Sequence, residues 1–174
     1  MAKTILDKEE MTAAIKRIAK EIVDVNDGGD KLVFIGIMNR GLPLAQRIAK
    51  VVESLEKISV PVGSLDVSLH RDDIQRKGSE IEVKESDIPF SIDGKTVVLV
   101  DDVIFAGRTI RAAMDSLADY GRAEKIQLAA LVDRGHRELP IHPDYIGKKI
   151  ETAKDDDVVV NVSEIDGVDK AYIK

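Results

Sequence analysis

Val97-Val98-Leu99-Val100-Asp101-Asp102-Val103-Ile104-Phe105-Ala106-Gly107-Arg108-Thr109 decides the fold of this 174-residue chain. Four apolar residues run into two adjacent carboxylates, a turn of small residues follows, and then a helix begins. Residues 97–100 predict a buried parallel strand. That reading puts Asp101 and Asp102 at the strand's carboxyl end, where open α/β sheets hold their ligands. Gly107 permits a positive φ or a close backbone approach in the turn beyond. Successive N–H groups and the N-terminus of the next helix then face an anion. The helix itself is marked by Ile110, Ala113, Met114, Leu117 and Ala118 on one face, with Gly121 as its stop. No Gly-Lys-Ser/Thr closes the turn, so it is not a P-loop. No Gly-x-Gly-x-x-Gly is present, so it is not a dinucleotide fingerprint.

Working outward, the first helix opens at Asp7 with Glu10 three residues on, a capping pair. Met11, Ile15, Ile18 and Ile22 form its stripe, and Asn26-Asp27-Gly28-Gly29 ends it. Residues 32–37 form a short apolar strand and residues 38–41 a turn. Pro43 suits the first turn of a second helix, whose face is Leu44, Ile48, Val51, Val52 and Leu55. Residues 60–69 are strand-like, with a phase shift near Gly63 that fits a bulge. Residues 70–89 are polar and aperiodic, too long for an ordinary connector, and read as a mobile functional loop. Residues 126–132, 158–162 and 171–173 complete the strands. Strands alternating with helices predict an α/β fold with a right-handed parallel sheet.

Composition narrows the class. The chain is 44% hydrophobic and 33% charged, which fits one globular domain. With no cysteine, it has no disulfide, thiol nucleophile or cysteine metal site. No 18-residue apolar run and no signal-peptide pattern at residues 1–6 are present, so a cytoplasmic protein without a membrane segment is expected. The net charge of −6 excludes a globally basic nucleic-acid surface but not a local patch. Without Trp, and with three Phe and three Tyr, stacking platforms for single-stranded bases are poorly supported.

By spacing alone, Asp101-Asp102 either closes a strand and solvates a turn or forms a ligand site. Other blocks bear on the choice: Asn39-Arg40-Gly41, Arg71-Asp72-Asp73, Leu131-Val132-Asp133-Arg134-Gly135-His136-Arg137-Glu138-Leu139-Pro140, and Asp144-Tyr145-Ile146-Gly147-Lys148. The acidic pair and its turn resemble the phosphoribosyl-diphosphate (PRPP) signature of type I phosphoribosyltransferases. The decapeptide with the 144–148 block resembles the pyrimidine-operon regulator/uracil phosphoribosyltransferase family, PyrR. The resemblance spans essentially the whole chain.

That resemblance implies a type I phosphoribosyltransferase fold in a single domain, residues 1–174. A central parallel sheet is flanked by helices, with a mobile loop at 70–89 and a hood from about residue 133 onward that includes the N-terminal segment. It implies that Asp101 and Asp102 take the ribose hydroxyls, a task suited to carboxylates that accept two hydrogen bonds at once. Phe105, Ala106, Gly107, Arg108 and Thr109 hold the 5′-phosphate, each charge-assisted contact being worth roughly 1.5–3 kcal/mol. Ala106 stands where most members have Thr, which removes one hydroxyl donor. Asn39, Arg40 and Gly41 cradle the diphosphate, with Arg40 pairing to it; the bond before Arg40 is expected to be cis. The alternative for Arg40 is a solvated side chain in a turn leading into a helix. Arg71, in the loop, neutralises the departing diphosphate as closure excludes water. His70 is not given a catalytic role. Mg²⁺ is implied by the adjacent phosphates, held near Asp101 and Asp102 largely through substrate and water.

The implied reaction is uracil plus PRPP giving UMP plus diphosphate. Uracil is met by backbone groups around Val132, Asp133 and Arg134, and no general base is assigned. The family also binds a pyrimidine-gene leader RNA and senses UMP and UTP. His136, Arg137 and Lys148 match family positions implicated in the RNA-binding face, and Lys16, Arg17 and Lys20 add a basic stripe on helix one. Lys16 and Lys20 stand where Thr and His are usual, and His142 where Arg is usual. The alternative for the helix-one charges is ordinary solvated surface. Two other readings stay open: a regulator with little transferase activity, which Ala106 favours, and a salvage enzyme without RNA binding, which the net charge favours. A homodimer or homotetramer is expected.

Overall fold

The computed structural model describes residues 1–68 and 85–174. Arg71, Asp72, Asp73 and His70, and with them most of the expected loop, lie outside the described residues.

The chain runs β1 (Lys3–Leu6), α1 (Lys8–Val25), β2 (Leu32–Ile37), α2 (Gly41–Glu56), β3 (Val62–Leu65), β4 (Thr96–Ile104), α3 (Arg108–Leu117), β5 (Lys125–Asp133), β6 (Tyr145–Lys149), β7 (Val158–Asn161), α4 (Ser163–Asp166) and β8 (Lys170–Ile173). A five-stranded sheet has the order β3-β2-β4-β5-β6, with every pairing parallel. A second sheet, β1-β8-β7, is antiparallel and forms the hood.

Strand and helix patterning explain the layers. Ile15, Ile18 and Ile22 of α1, with Leu44, Ile48 and Val52 of α2, cover Phe34, Val98, Val100, Ala129 and Leu131 on one face. Ile110, Ala113 and Leu117 of α3 cover Val33, Ile35, Val97, Leu99, Leu128 and Ala130 on the other. A sheet buried on both faces needs near-continuous apolar strands, and β2 is buried at every position. The hood adds Ile5, Leu6, Val160, Val162 and Ala171 to the core on the α1/α2 side.

The Asp7–Glu10 capping box is present in both directions, at 2.8 and 2.9 Å. Other expectations need correcting. The strand at 60–69 is confined to Val62–Leu65 and pairs with β2 in unbroken register, without a bulge. Its glycine serves packing instead: a Cβ on Gly63 would lie 2.9 Å from the Asp87 carbonyl oxygen. Asp87 bridges Ser64 through two backbone hydrogen bonds, so this end of the expected loop is tied to β3. Ala118 is exposed in a 3₁₀ turn after α3, off the helical face. Residues 145–149, read only as part of a motif, are the edge strand of the main sheet. The cis peptide joins Met38 to Asn39, one bond earlier than expected.

Candidate active site

The cleft opens at the carboxyl ends of β2, β4 and β5. It has a volume of about 330 Å³, and Asn39, Arg40, Asp66, Asp101, Asp102, Phe105, Thr109 and Arg134 are among its lining residues.

The acidic pair does not end β4, as the sequence reading had it; the strand continues to Ile104. Its alternation slips at the acids. Val98 and Val100 pack on the α1/α2 side and Val97 and Leu99 on the α3 side, yet beyond the pair Val103 belongs to the first group and Ile104 to the second. The β4–β5 register runs from Asp101↔Ala130 to Val103↔Val132 with no partner for Asp102. The Asp102 N–H donates to Asp101 Oδ1 at 2.9 Å, and the Val103 N–H donates to Asp102 Oδ1 at 2.8 Å. In a regular strand two adjacent side chains leave on opposite faces; with the slip, both carboxylates line one cleft.

Beyond the acids, Gly107 takes φ 95° and begins α3, whose first turn has no side-chain cap. The carbonyls of the turn are fixed from outside. Phe105 O accepts Arg137 Nη1 at 2.7 Å, and Ala106 O accepts the Glu138 and Leu139 N–H groups at 2.9 and 3.2 Å. In a trans peptide the N–H points opposite the C=O, so the Ala106 and Gly107 N–H groups turn away from the decapeptide. Arg108 reaches Glu138 at 3.3 Å. The decapeptide is thus the outer brace of the anion turn.

On the other wall, Gly41 opens α2 with its Cα against the Val100 carbonyl; a Cβ there would come within 2.4 Å of that oxygen. The Arg40 backbone precedes α2 without a side-chain cap, leaving the first-turn N–H groups open. The Arg40 side chain lines the cleft, but its Nε and Nη2 donate to Asp166 of the hood at 3.0 and 2.7 Å. That ion pair raises the Arg40 pKa and holds Asp166 below the usual carboxylate range, the Arg40 hydrogen bonds being the largest cause. Sequence reasoning missed Asp166, because nothing in the 151–174 segment marks it as facing β2.

The residues expected at the base divide in role. The Val132 side chain is fully buried. Asp133 pairs with Arg137 at 2.9 Å and accepts the Gly135 N–H. The Arg134 backbone is spoken for, its N–H by Ile104 O and its carbonyl by Thr152 Oγ1. Its side chain is what reaches the cleft. The guanidinium carbon lies 4.1 Å from the Phe105 ring centroid, and Nη1 and Nη2 donate to the carbonyls of Asp156, Ala153 and Lys154. Nε of Arg134 is buried without a partner among the described residues.

The basic positions do not form one free face. Lys16 and Lys20 are exposed on α1. Arg17 Nη1 donates to Ile146 O at 3.0 Å, and Nη2 donates to Gly147 O, on the edge strand β6. Lys148 Nζ donates to Ile5 O at 2.9 Å. The His136 ring bonds Thr152 O, and Arg137 is partly buried between β5 and the turn after β4.

No cluster of three or more His, Cys, Asp or Glu side chains that could hold a metal is found among the described residues. Two carboxylates opening on one cleft fit a hydrated divalent cation carried in with a phosphate ligand, not a protein-caged one.

The family comparison agrees with this geometry. The Phosphoribosyl transferase domain family matches residues 1–166. "Bifunctional protein PyrR 1" of Lactiplantibacillus plantarum is 53% identical over 176 residues, covering 100% of this chain and 98% of the relative. "Bifunctional protein PyrR" of Roseiflexus sp. is 51% identical over 172 residues, covering 98% and 94%. The chain belongs to the PyrR family of phosphoribosyltransferases. Among solved structures, the hypoxanthine phosphoribosyltransferase of Trypanosoma cruzi superposes with a TM-score of 0.75 at 18% identity, covering 98% of this chain and 95% of that one. The Staphylococcus aureus hypoxanthine phosphoribosyltransferase gives 0.72 at 20%, covering 97% and 90%. Those two likenesses concern the fold. No helix among the described residues is long and apolar enough to cross a membrane.

Proposed function

We propose that this PyrR-family chain transfers the phosphoribosyl group of PRPP to uracil, giving UMP and diphosphate, and that it also regulates pyrimidine genes through a leader RNA. One observation carries the first half: a single cleft is lined by a paired carboxylate, an uncapped helix N-terminus on each side, and a cation-braced aromatic wall.

In this reading Asp101 and Asp102 hold the ribose hydroxyls. The N–H groups of Ala106 and Gly107, the α3 N-terminus and Thr109 take the 5′-phosphate, while Asn39, Arg40 and Gly41 take the diphosphate. Phe105 and Arg134 form the wall against which the pyrimidine rests. The C1′–O bond to diphosphate breaks as the uracil N1–C1′ bond forms, and the N1 proton passes to the departing diphosphate or to water. Positive charge develops on the ribose in the transition state, where the two carboxylates lie closest, and fixed donors receive the charge leaving on diphosphate. Positioning and charge stabilisation carry the rate, with no side chain needed as base. Mg²⁺ bound with PRPP neutralises diphosphate charge, and Asp101 and Asp102 are the residues that would hold it through water. Arg71 supplies a further cation in this reading.

Lys16 and Lys20, exposed on α1, are proposed to meet RNA phosphate together with the exposed Arg17 and His136. Lysines placed so supply affinity without sequence information. A dimer or tetramer is the assembly proposed.

The test is UMP formation from labelled uracil and PRPP with Mg²⁺. UMP is expected. PRPP binding without UMP would leave only the regulatory reading. RNA titration across salt, with and without UMP, tests the second half. Affinity that falls with salt, and falls less steeply in Lys16→Glu/Lys20→Glu, is expected.

A further inference from the structure

Asp166 sits on a short turn of helix in the hood, 126 residues from Arg40 in sequence, and holds it by a bidentate pair. Resting on the transfer reading above, we propose that Asp166 is a positioning residue for the reaction. It holds the Arg40 guanidinium, and with it the diphosphate loop, in the orientation that receives the diphosphate.

The support behind Asp166 is rigid. Its Oδ2 also accepts the Val162 N–H at 2.8 Å, and Val162 is fully buried in the core that α1 and α2 share with the sheet. A continuous line therefore runs from core to Val162 to Asp166 to Arg40. Where the loop enters α2, Gly41 packs backbone against the Val100 carbonyl with no room for a side chain, so no side chain at 41 helps to orient the Arg40 guanidinium. The pairing uses Nε and Nη2 and leaves Nη1 without a protein partner among the described residues, so one end of the fork is fixed and the other is open.

A second effect follows from charge. Asp102 is close enough to act on Arg40 electrostatically. Without Asp166, that carboxylate remains as a counter-charge for Arg40 in the cleft, and a collapse onto it would occupy an acid the ribose needs. Asp166 keeps the two apart.

The competing explanation is that the pair merely fastens the hood. Arg47 separates the two. It fastens the same turn through Glu164, and also Asp169 at 2.8 Å, without touching Arg40. Loss of Glu164 therefore loosens the hood and leaves the diphosphate loop as it is.

The experiment uses the full chain, with calorimetric titration of Mg-PRPP and Mg-diphosphate alongside steady-state UMP formation. Asp166→Asn is expected to raise the KM for PRPP by about tenfold, the weight of one charge-assisted hydrogen bond, with kcat and the KM for uracil within about twofold. Asp166→Glu restores part of the loss. Glu164→Gln leaves both KM values in place while lowering Tm. Arg40→Gln raises the KM for PRPP at least as much, and adding Asp166→Asn to it changes nothing further, which keeps the test open should one single variant fold poorly. Unchanged or tighter PRPP binding in Asp166→Asn, with loss in Arg40→Gln, would overturn the proposal in favour of a free Arg40. Equal loss in Glu164→Gln would overturn it in favour of a fastener. Should the unaltered chain bind neither Mg-PRPP nor Mg-diphosphate, the transfer reading falls and takes this one with it; wild-type binding matched by Asp166→Asn removes this one alone.

Discussion

Ala106 shows how one side chain tunes a site built from backbone. Its carbonyl is held by two N–H groups of the decapeptide, so the turn keeps its shape without a hydroxyl at this position. Restoring a donor by Ala106→Thr is expected to tighten PRPP binding by about fivefold, about 1 kcal/mol for one hydrogen bond, measured by calorimetry. Unchanged affinity would show that the backbone alone saturates the phosphate. Gly41 is the opposite case, since no side chain fits. Its Cβ would meet the Val100 carbonyl oxygen, and backbone cannot yield as a flexible side chain can. Gly41→Ala is expected to cost about 1–3 kcal/mol, as overpacking does, and to weaken diphosphate binding with it. Denaturant unfolding and a diphosphate titration read the two effects.

At the scale of elements, the hood is docked by ion pairs around two arginines of the β2–α2 region. Arg47 reaches Glu164, Asp169 and the Ser163 hydroxyl; Arg40 reaches Asp166. The Arg47 pKa is raised, chiefly by its hydrogen bonds to Glu164, and the Glu164 carboxyl is correspondingly lowered. Burial pushes Asp169 upward, but Arg47 and the Ser163 N–H outweigh it and the net shift is down. Carboxylates lowered in the folded state stabilise it fully above their unfolded pKa and lose that contribution as pH falls through the folded value. The hood is therefore expected to be firmly docked at neutral pH and to loosen below about pH 4, the ordinary carboxylate range. Melting temperatures of the unaltered chain and Asp169→Asn should differ clearly at pH 7 and converge as pH falls below the ordinary carboxylate range. A gap that persists at low pH would place the effect in packing.

For the whole molecule, the hood braces both ends of the cleft. Its 153–156 carbonyls hold Arg134 against Phe105, and its α4 turn holds Arg40. A ligand filling the cleft between Phe105–Arg134 and Arg40 would thus be coupled to hood, sheet and helices together. Saturating PRPP at about a hundred times its Kd should add about 2.7 kcal/mol. In a domain of this size that is a rise in Tm of roughly 5–11 °C, read by calorimetry, with much of it lost in Asp102→Asn. No rise would mean that the cleft is not the binding site.

Periodicity and turn chemistry made most of the elements legible. Helix faces at 11–22, 44–52 and 110–117 repeat every three or four residues, and the strands at 32–37 and 128–132 are apolar throughout because both sheet faces are covered there. The strand end, glycine turn and helix start at 101–109 could be read because they are contiguous within nine residues. Tertiary structure decided what contiguity cannot carry. The change of side-chain alternation in β4, by which both acids line one cleft, shows only in the packed sheet. The bracing of the turn by Arg137, and the docking of Arg40 by Asp166, join residues 32 and 126 positions apart. The ion pair of Arg137 with Asp133 and the hydrogen bonds of Arg17 to β6 carbonyls give these charges partners that composition alone does not show. Sequence determines local hydrogen bonding and which faces are apolar, because those forces act within a few residues. Which charge meets which is fixed only once the core has packed and brought distant segments within a bond length or two.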